Sequence, residues 1–198
     1  ISYNNAPVIL VGTHGGLIGP DGATQSALQD IAIMRTIPGF KVFQPSSPIM
    51  VEKIFNYLSE TDDMAYVRIA RNEVPEIYEK NFNFTEGLPY KLTDGNDIAI
   101  FSSGPVLHSC LEAAKLLKNK ISVSVIDVPS IKPLNHDAII EYCNNCKILM
   151  TVEDHDISAG LGGVISEIMT SNRIFKKLHR HGLNDEFIVS GKPKDLEQ

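Results

Sequence analysis

Residues 8–30 read VILVGTHGGLIGPDGATQSALQD, and the parsing of this stretch decides the fold. The continuous apolar run Val8-Ile9-Leu10-Val11 marks a strand covered on both faces. It stops at Gly12. The loop that follows carries Gly15, Gly16, Gly19 and Gly22 around His14 and Asp21. Thr24 then predicts a helix N-cap, with Ala27, Leu28, Ile31 and Met34 at helical spacing until Pro38-Gly39. The stretch is thus a strand, a glycine-rich loop and a helix.

Outward from it the alternation continues. Phe40 to Phe43 predicts a short strand, and Ser47-Pro48 an N-cap followed by proline at the first helical position, with Val51, Ile54, Phe55 and Leu58 on one face. Met64 to Ala70 predicts a strand that delivers Arg71 just past its end. From Asn72 to Asn96 periodicity lapses into proline, glycine and asparagine with aromatics between, which predicts a linker lying against another surface. A second series follows: strands at Ile98–Phe101, Ile121–Val128 and Ile148–Val152, helices through Leu107–Leu117, Asn135–Tyr142 and Leu161–Met169, and a last short strand at Phe187–Val189. Alternating strands and helices with short connections require parallel sheets covered on both faces. The expected architecture is α/β, with two three-layer α/β/α units of mostly parallel sheets: residues 1–85, a linker at 86–96, and residues 97–198.

Composition narrows the function. The chain has 198 residues, 43% hydrophobic and 21% charged, with a formal charge of -6, so no global field attracts nucleic acid or an anionic membrane. Three cysteines give no disulfide framework and fit a reducing compartment. No signal peptide and no 18-residue apolar span is legible, so a soluble cytoplasmic protein is expected. The chain opens on Ile1 rather than Met, and residues upstream are expected to matter.

In open α/β sheets ligands bind outside the carboxyl ends of the strands, where His14, Asp21 and Arg71 all fall. His14 and Arg71 could hold a phosphate, the guanidinium offering a planar donor fork, and Asp21 could accept hydrogen bonds from sugar hydroxyls. The same residues also suit a capping histidine and a Pro20-Asp21-Gly22 turn, so residue types alone leave both readings open.

The stretch GTHGGLIGPDGATQSALQDIAIMRTIPGFKVFQPS resembles the loop and helix of the pyrimidine-binding domain of transketolases, especially the C-terminal subunit of split transketolases. VIDVPSIKPL and TVEDHDISAGLGG resemble that family's C-terminal domain, and together the matches span nearly the whole chain. The resemblance implies a thiamine diphosphate and Mg²⁺ enzyme that moves a two-carbon ketol unit between sugar phosphates. It implies phosphate contacts from His14 and Arg71 and a substrate hydroxyl contact from Asp21. Where the family carries a histidine after DG-x-T, this chain has Gln25, which can donate and accept hydrogen bonds but cannot titrate near neutrality. The loop between His14 and Asp21 is also about a residue shorter than usual.

The resemblance also implies that the activating glutamate and aromatic wall lie upstream of the strand that opens here, and that the diphosphate and metal site belongs to another domain. No catalytic group, cofactor-binding residue or metal ligand is therefore assigned here. The expected partners are an N-terminal thiamine diphosphate-binding subunit, a second copy of this chain, and sugar phosphate substrates. A deoxyxylulose phosphate synthase, a 2-oxoacid dehydrogenase beta subunit and a non-catalytic domain of the same fold are the alternatives.

Four further motifs receive structural readings. Gly160, Gly162 and Gly163 fall short of G-x-G-x-x-G and suit close packing of helix on sheet. Cys143-Asn-Asn-Cys146 has no second pair and reads as structural. Glu153-Asp154-His155-Asp156 is expected in a solvated loop, and the basic run Lys176, Lys177, His179, Arg180, His181 on the surface or at an interface.

Overall fold

The computed structural model describes residues 1–17, 22–189 and 191. Its first sheet has the order β1-β3-β2-β7, from Ile9–Thr13 (β1), Phe40–Phe43 (β2), Met64–Ile69 (β3) and Ser130–Lys132 (β7). The second has the order β4-β6-β5-β8-β9, from Tyr90–Lys91 (β4), Ile98–Ser102 (β5), Val123–Asp127 (β6), Ile148–Asp156 (β8) and Leu178–Leu183 (β9). All pairings are parallel except β7 on β2 and β4 on β6. The helices are Asp30–Thr36 (α1), Pro48–Ser59 (α2), Val106–Leu117 (α3), His136–Asn145 (α4) and Leu161–Ser171 (α5).

Each sheet carries helices on both faces, but β1, expected as a strand covered on both faces, is an edge strand that leaves Ile9 and Val11 exposed. Ile54 and Leu58 of α2 pack with Phe43, Ala65 and Val67, and Leu107, Cys110 and Ala114 of α3 with Ile100 and Val125. Between the sheets, Ile31 of α1, Ile139 of α4 and Ile165 and Ile168 of α5 share one continuous core with Val42, Tyr66, Ala99 and Phe101. Burial of this kind contributes roughly 25 cal/mol per Å² of apolar surface, and it is the main force holding the layers together. The two sheets therefore rest on shared helices.

The α/β architecture is as expected, and several local assignments change. The first helix starts at Asp30, not near Thr24. The carbonyls that would serve an earlier turn are taken: Ala27 O accepts from Gly16 N at 3.0 Å and Leu28 O from Asp156 N at 2.9 Å, leaving Ile33 N on Gln29 O as the first helical bond. The last strand is β9 at 178–183, while Phe187 and Val189 are exposed and outside any strand. Most of the basic run thus forms an edge strand whose one-sided packing leaves no apolar alternation to read. Lys176, just before it, donates to the carbonyls of Cys143, Asn144 and Cys146 and so caps the end of α4, whose buried cysteines are free thiols.

Two short strands were not expected. β4 lies in the linker, and β7 comes from the second half of the sequence yet pairs with β2 in the first sheet. The linker aromatics do lie against a surface: Phe84 packs edge-on to Phe43 and Tyr57, and Tyr78, Phe82 and Tyr90 stack together. Among the described residues no helix is long and apolar enough to cross a membrane.

Candidate functional site

Strand ends of both sheets converge on one cleft of about 230 Å³, lined by Gly15 and Leu17 after β1, Ala70, Arg71 and Asn72 after β3, Pro105 and Ser109 at the start of α3, and Glu153 and Asp154 of β8. In the second sheet β5 is flanked by β6 on one side and β8 on the other, so the cleft meets that sheet at its topological switch point. Arg71 and the residues directly after His14 are brought together here. His14 itself is exposed and leaves β1 in the left-handed region at φ 64°, a conformation histidine adopts more readily than most side chains. Gln25 is exposed in a turn whose amide returns to Gly22 O at 3.1 Å, and it does not line the cleft. Asp21 lies outside the described residues.

Beneath the loop sits a buried ionic network. Arg68 is only 1% exposed. Its Nε donates to Asp30 Oδ2 at 3.0 Å, its Nη1 to Asp154 Oδ1 at 2.6 Å, and its Nη2 to the carbonyls of Ala27 and Asp154. A buried guanidinium persists only when paired and hydrogen-bonded, as here with one carboxylate from each half of the chain. Tyr66 OH donates to Asp30 Oδ2 at 2.5 Å, and burial beside that carboxylate pushes the phenol above its ordinary range. Gln44, following β2, donates to Asp154 Oδ1 at 2.9 Å and accepts from Ser103 Oγ at 2.8 Å.

The loop backbone lies on this network. A Cβ on Gly15 would stand 2.3 Å from Arg68 Nε, and one on Gly16, where φ is +87°, 2.1 Å from Asp154 Oδ2. Glycine is required twice over at Gly16, by conformation and by contact.

Glu153 to Asp156 are not in a solvated loop. They form the end of β8, where Glu153, His155 and Asp156 are buried. His155 Nε2 accepts from Ala32 N at 3.3 Å, so its proton is on Nδ1, which donates to Asp156 O at 2.6 Å; burial holds the ring below its usual range, and it is neutral. Glu153 accepts from Leu161 N at 2.7 Å and Gly162 N at 2.9 Å, and burial pushes its carboxyl up to about 7. The amides that open α5 are thus occupied, and the glycines there leave no free anion site. Asp127, wholly buried against Ser46 and Tyr78, is likewise pushed up to about 7 by desolvation.

The network was legible in one respect only: Arg68 interrupts the apolar run MAYVRI, and a charge inside a buried strand requires counter-charges. Nothing in the spacing identified Asp30 and Asp154 as those partners.

Family profiles match the chain in the same order as its sheets. The transketolase pyrimidine binding domain matches residues 1–76 and the transketolase C-terminal domain residues 90–198. The chain belongs to the transketolase family. It is 36% identical over 99% of its length to a Methanocaldococcus jannaschii protein whose name assigns it to the transketolase C-terminal section. It is 31% identical over its whole length to a subunit of the apulose-4-phosphate transketolase of Actinobacillus succinogenes. A solved structure described as a split gene transketolase in an inactive beta4 tetramer superposes with a TM-score of 0.90 at 30% identity, over 98% of this chain and 62% of that one. The chain spans 62% and 65% of the lengths of the two relatives.

Transketolases depend in general on thiamine diphosphate. The described residues do not fit a diphosphate and metal: no group of three or more histidine, cysteine, aspartate or glutamate side chains among them is placed to hold a cation, and Glu153 fills the glycine-rich helix start. What this chain presents is a cleft with a glycine-rich loop and an arginine.

Proposed function

We propose that this chain is the C-terminal component of a transketolase-like transferase that moves a two-carbon ketol unit between sugar phosphates, with thiamine diphosphate and Mg²⁺ held chiefly by a separate N-terminal subunit. The observation that carries the proposal is that Arg71 lines one cleft together with Gly15 and Leu17, which follow His14 directly, on a chain with the domain order of the family. Relatives named for a C-terminal section, for one subunit of a transketolase and for a split gene support a two-subunit enzyme. The chain forms a homodimer in the cytoplasm and binds neither nucleic acid nor membrane.

In this proposal the Arg71 guanidinium holds the substrate phosphate by paired hydrogen bonds, with His14 beside it and Asp21 on a sugar hydroxyl. Gln25, exposed outside the cleft formed by this chain alone, meets the reacting end of the substrate as an amide in the two-subunit site, orienting it without exchanging a proton. Bound cofactor would supply the carbon nucleophile; this chain supplies orientation and phosphate binding. The test mixes the full-length chain with its N-terminal subunit, cofactor and Mg²⁺, and follows ketol transfer from phosphorylated donors. Transfer that requires both chains is expected, and its absence with every common donor overturns the proposal.

A further inference from the structure

The second half of the chain reaches the substrate loop at several points. At the loop's entry, Gly16 lies against Asp154 Oδ2 and Gly15 against Arg68, which Asp154 holds at 2.6 Å. At its exit, Ala27 O accepts from Arg68 Nη2 at 2.8 Å, Leu28 O accepts from Asp156 N at 2.9 Å, and Ala32 N donates to His155 Nε2 at 3.3 Å. Entry and exit are tied to each other as well, Gly16 N donating to Ala27 O at 3.0 Å. Three consecutive residues of β8, 154 to 156, thus secure both ends of a loop that belongs to the other sheet. Asp154 is the joint: its Oδ1 takes Arg68 and also Gln44, which in turn takes Ser103 at the end of β5.

We propose that Asp154 is a positioning residue for substrate binding: by fixing Arg68 and abutting Gly16 it sets where the backbone from His14 to Leu17 stands relative to Arg71, so the C-terminal half contributes to phosphate recognition without touching the substrate. The proposal rests on the transketolase reading for its substrate and on the contacts above for its geometry. Phosphate held by two groups on different segments is sensitive to their separation, and a displacement of about 1 Å far from the chemistry can cost on the order of 100-fold. Because the affected contact is remote from the reacting carbon, the loss falls on binding shared by ground and transition states.

The test uses the full-length chain with its partner subunit and compares Asp154→Ala, Asp154→Asn and Gly16→Ala with Thr151→Val, a buried change in the same strand. Asp154→Ala is expected to raise amide hydrogen exchange in segments 14–17 and 27–29 about tenfold. It should raise KM for phosphorylated acceptors about tenfold, with kcat within about twofold and KM for an unphosphorylated acceptor unchanged. Gly16→Ala should share that signature, and the pair combined should fall short of the product of the two, since both disturb one contact. Asp154→Asn keeps an acceptor for Arg68 and Gln44 and is expected to recover most of the wild-type KM. Wild-type loop exchange in Asp154→Ala, an equal loss on both acceptors, or the same effects from Thr151→Val would overturn the proposal. If Asp154→Ala does not fold, Gly16→Ala decides by the same readouts, and wild-type values in it overturn the proposal. An absence of ketol transfer in the wild-type pair refutes the transketolase reading instead, and hydrogen exchange still judges the positioning.

Discussion

Two glycine-rich junctions between a strand and a helix, after β1 and after β8, differ among the described residues. After β8, the helix opening at Gly160–Gly163 has its amides taken by Glu153, a side chain of the strand that precedes it. After β1, Gly15 and Gly16 abut Arg68 and Asp154, and Gly15 and Leu17 line a cleft with Arg71. Glycine content alone does not distinguish a ligand loop from a packed corner. At the second junction a resident carboxylate takes the amides, whereas at the first Gly16 N closes onto Ala27 O and the loop lines a cleft.

The largest expected effect breaks the closed junction. Glu153→Ala leaves the Leu161 and Gly162 amides buried without an acceptor, and should cost about 2–4 kcal/mol of stability, read as a fall in urea midpoint with unchanged slope. A loss below about 0.5 kcal/mol would show that water replaces the carboxylate and that the junction is open after all.

A somewhat smaller effect sharpens the comparison through pH. Glu153 titrates near 7 when folded and near 4.5 when unfolded, so between those values the folded state holds more protons and its stability falls as pH rises. Glu153→Gln cannot titrate. The stability of wild type relative to this variant should decline by roughly 2–3 kcal/mol from pH 5 to pH 8, most of it below pH 7. Asp127, whose carboxyl meets Ser46 and Tyr78 rather than Glu153, cancels between the two proteins. A constant difference across this range would mean that Glu153 is ionised throughout.

The smallest effect probes the open junction. Arg71→Ala should raise KM for phosphorylated substrates about tenfold while lowering kcat much less, because a remote phosphate contact contributes mainly shared binding. An equal effect on an unphosphorylated substrate would remove Arg71 from phosphate recognition.

The sheets and most helices were legible because their apolar periodicities are strong, as in Ile98–Phe101 and Leu161–Met169. The start of α1 was not, because Ala27 and Leu28 fit a helical face while their carbonyls are claimed by Gly16 and Asp156, a competition set by tertiary structure. β9 escaped notice because an edge strand packed on one side tolerates His179, Arg180 and His181. The place of Arg71 at the cleft follows from its position after a strand, whereas the pairing of Arg68 with Asp30 and Asp154 joins residues far apart in sequence that no local pattern connects. Glu153–Asp156 reads as a solvated loop because an acidic cluster ordinarily seeks water, and here an arginine, a glutamine and backbone amides replace it.

The antiparallel pairing of β7 with β2 carries a consequence for synthesis. Residues 130–132 complete the edge of a sheet whose other strands end at Ile69, so the ribosome must release the chain beyond Lys132 before that sheet can close. Until then the Phe40–Phe43 edge stands uncovered in the nascent chain, and the first half of the protein waits on the second to finish folding.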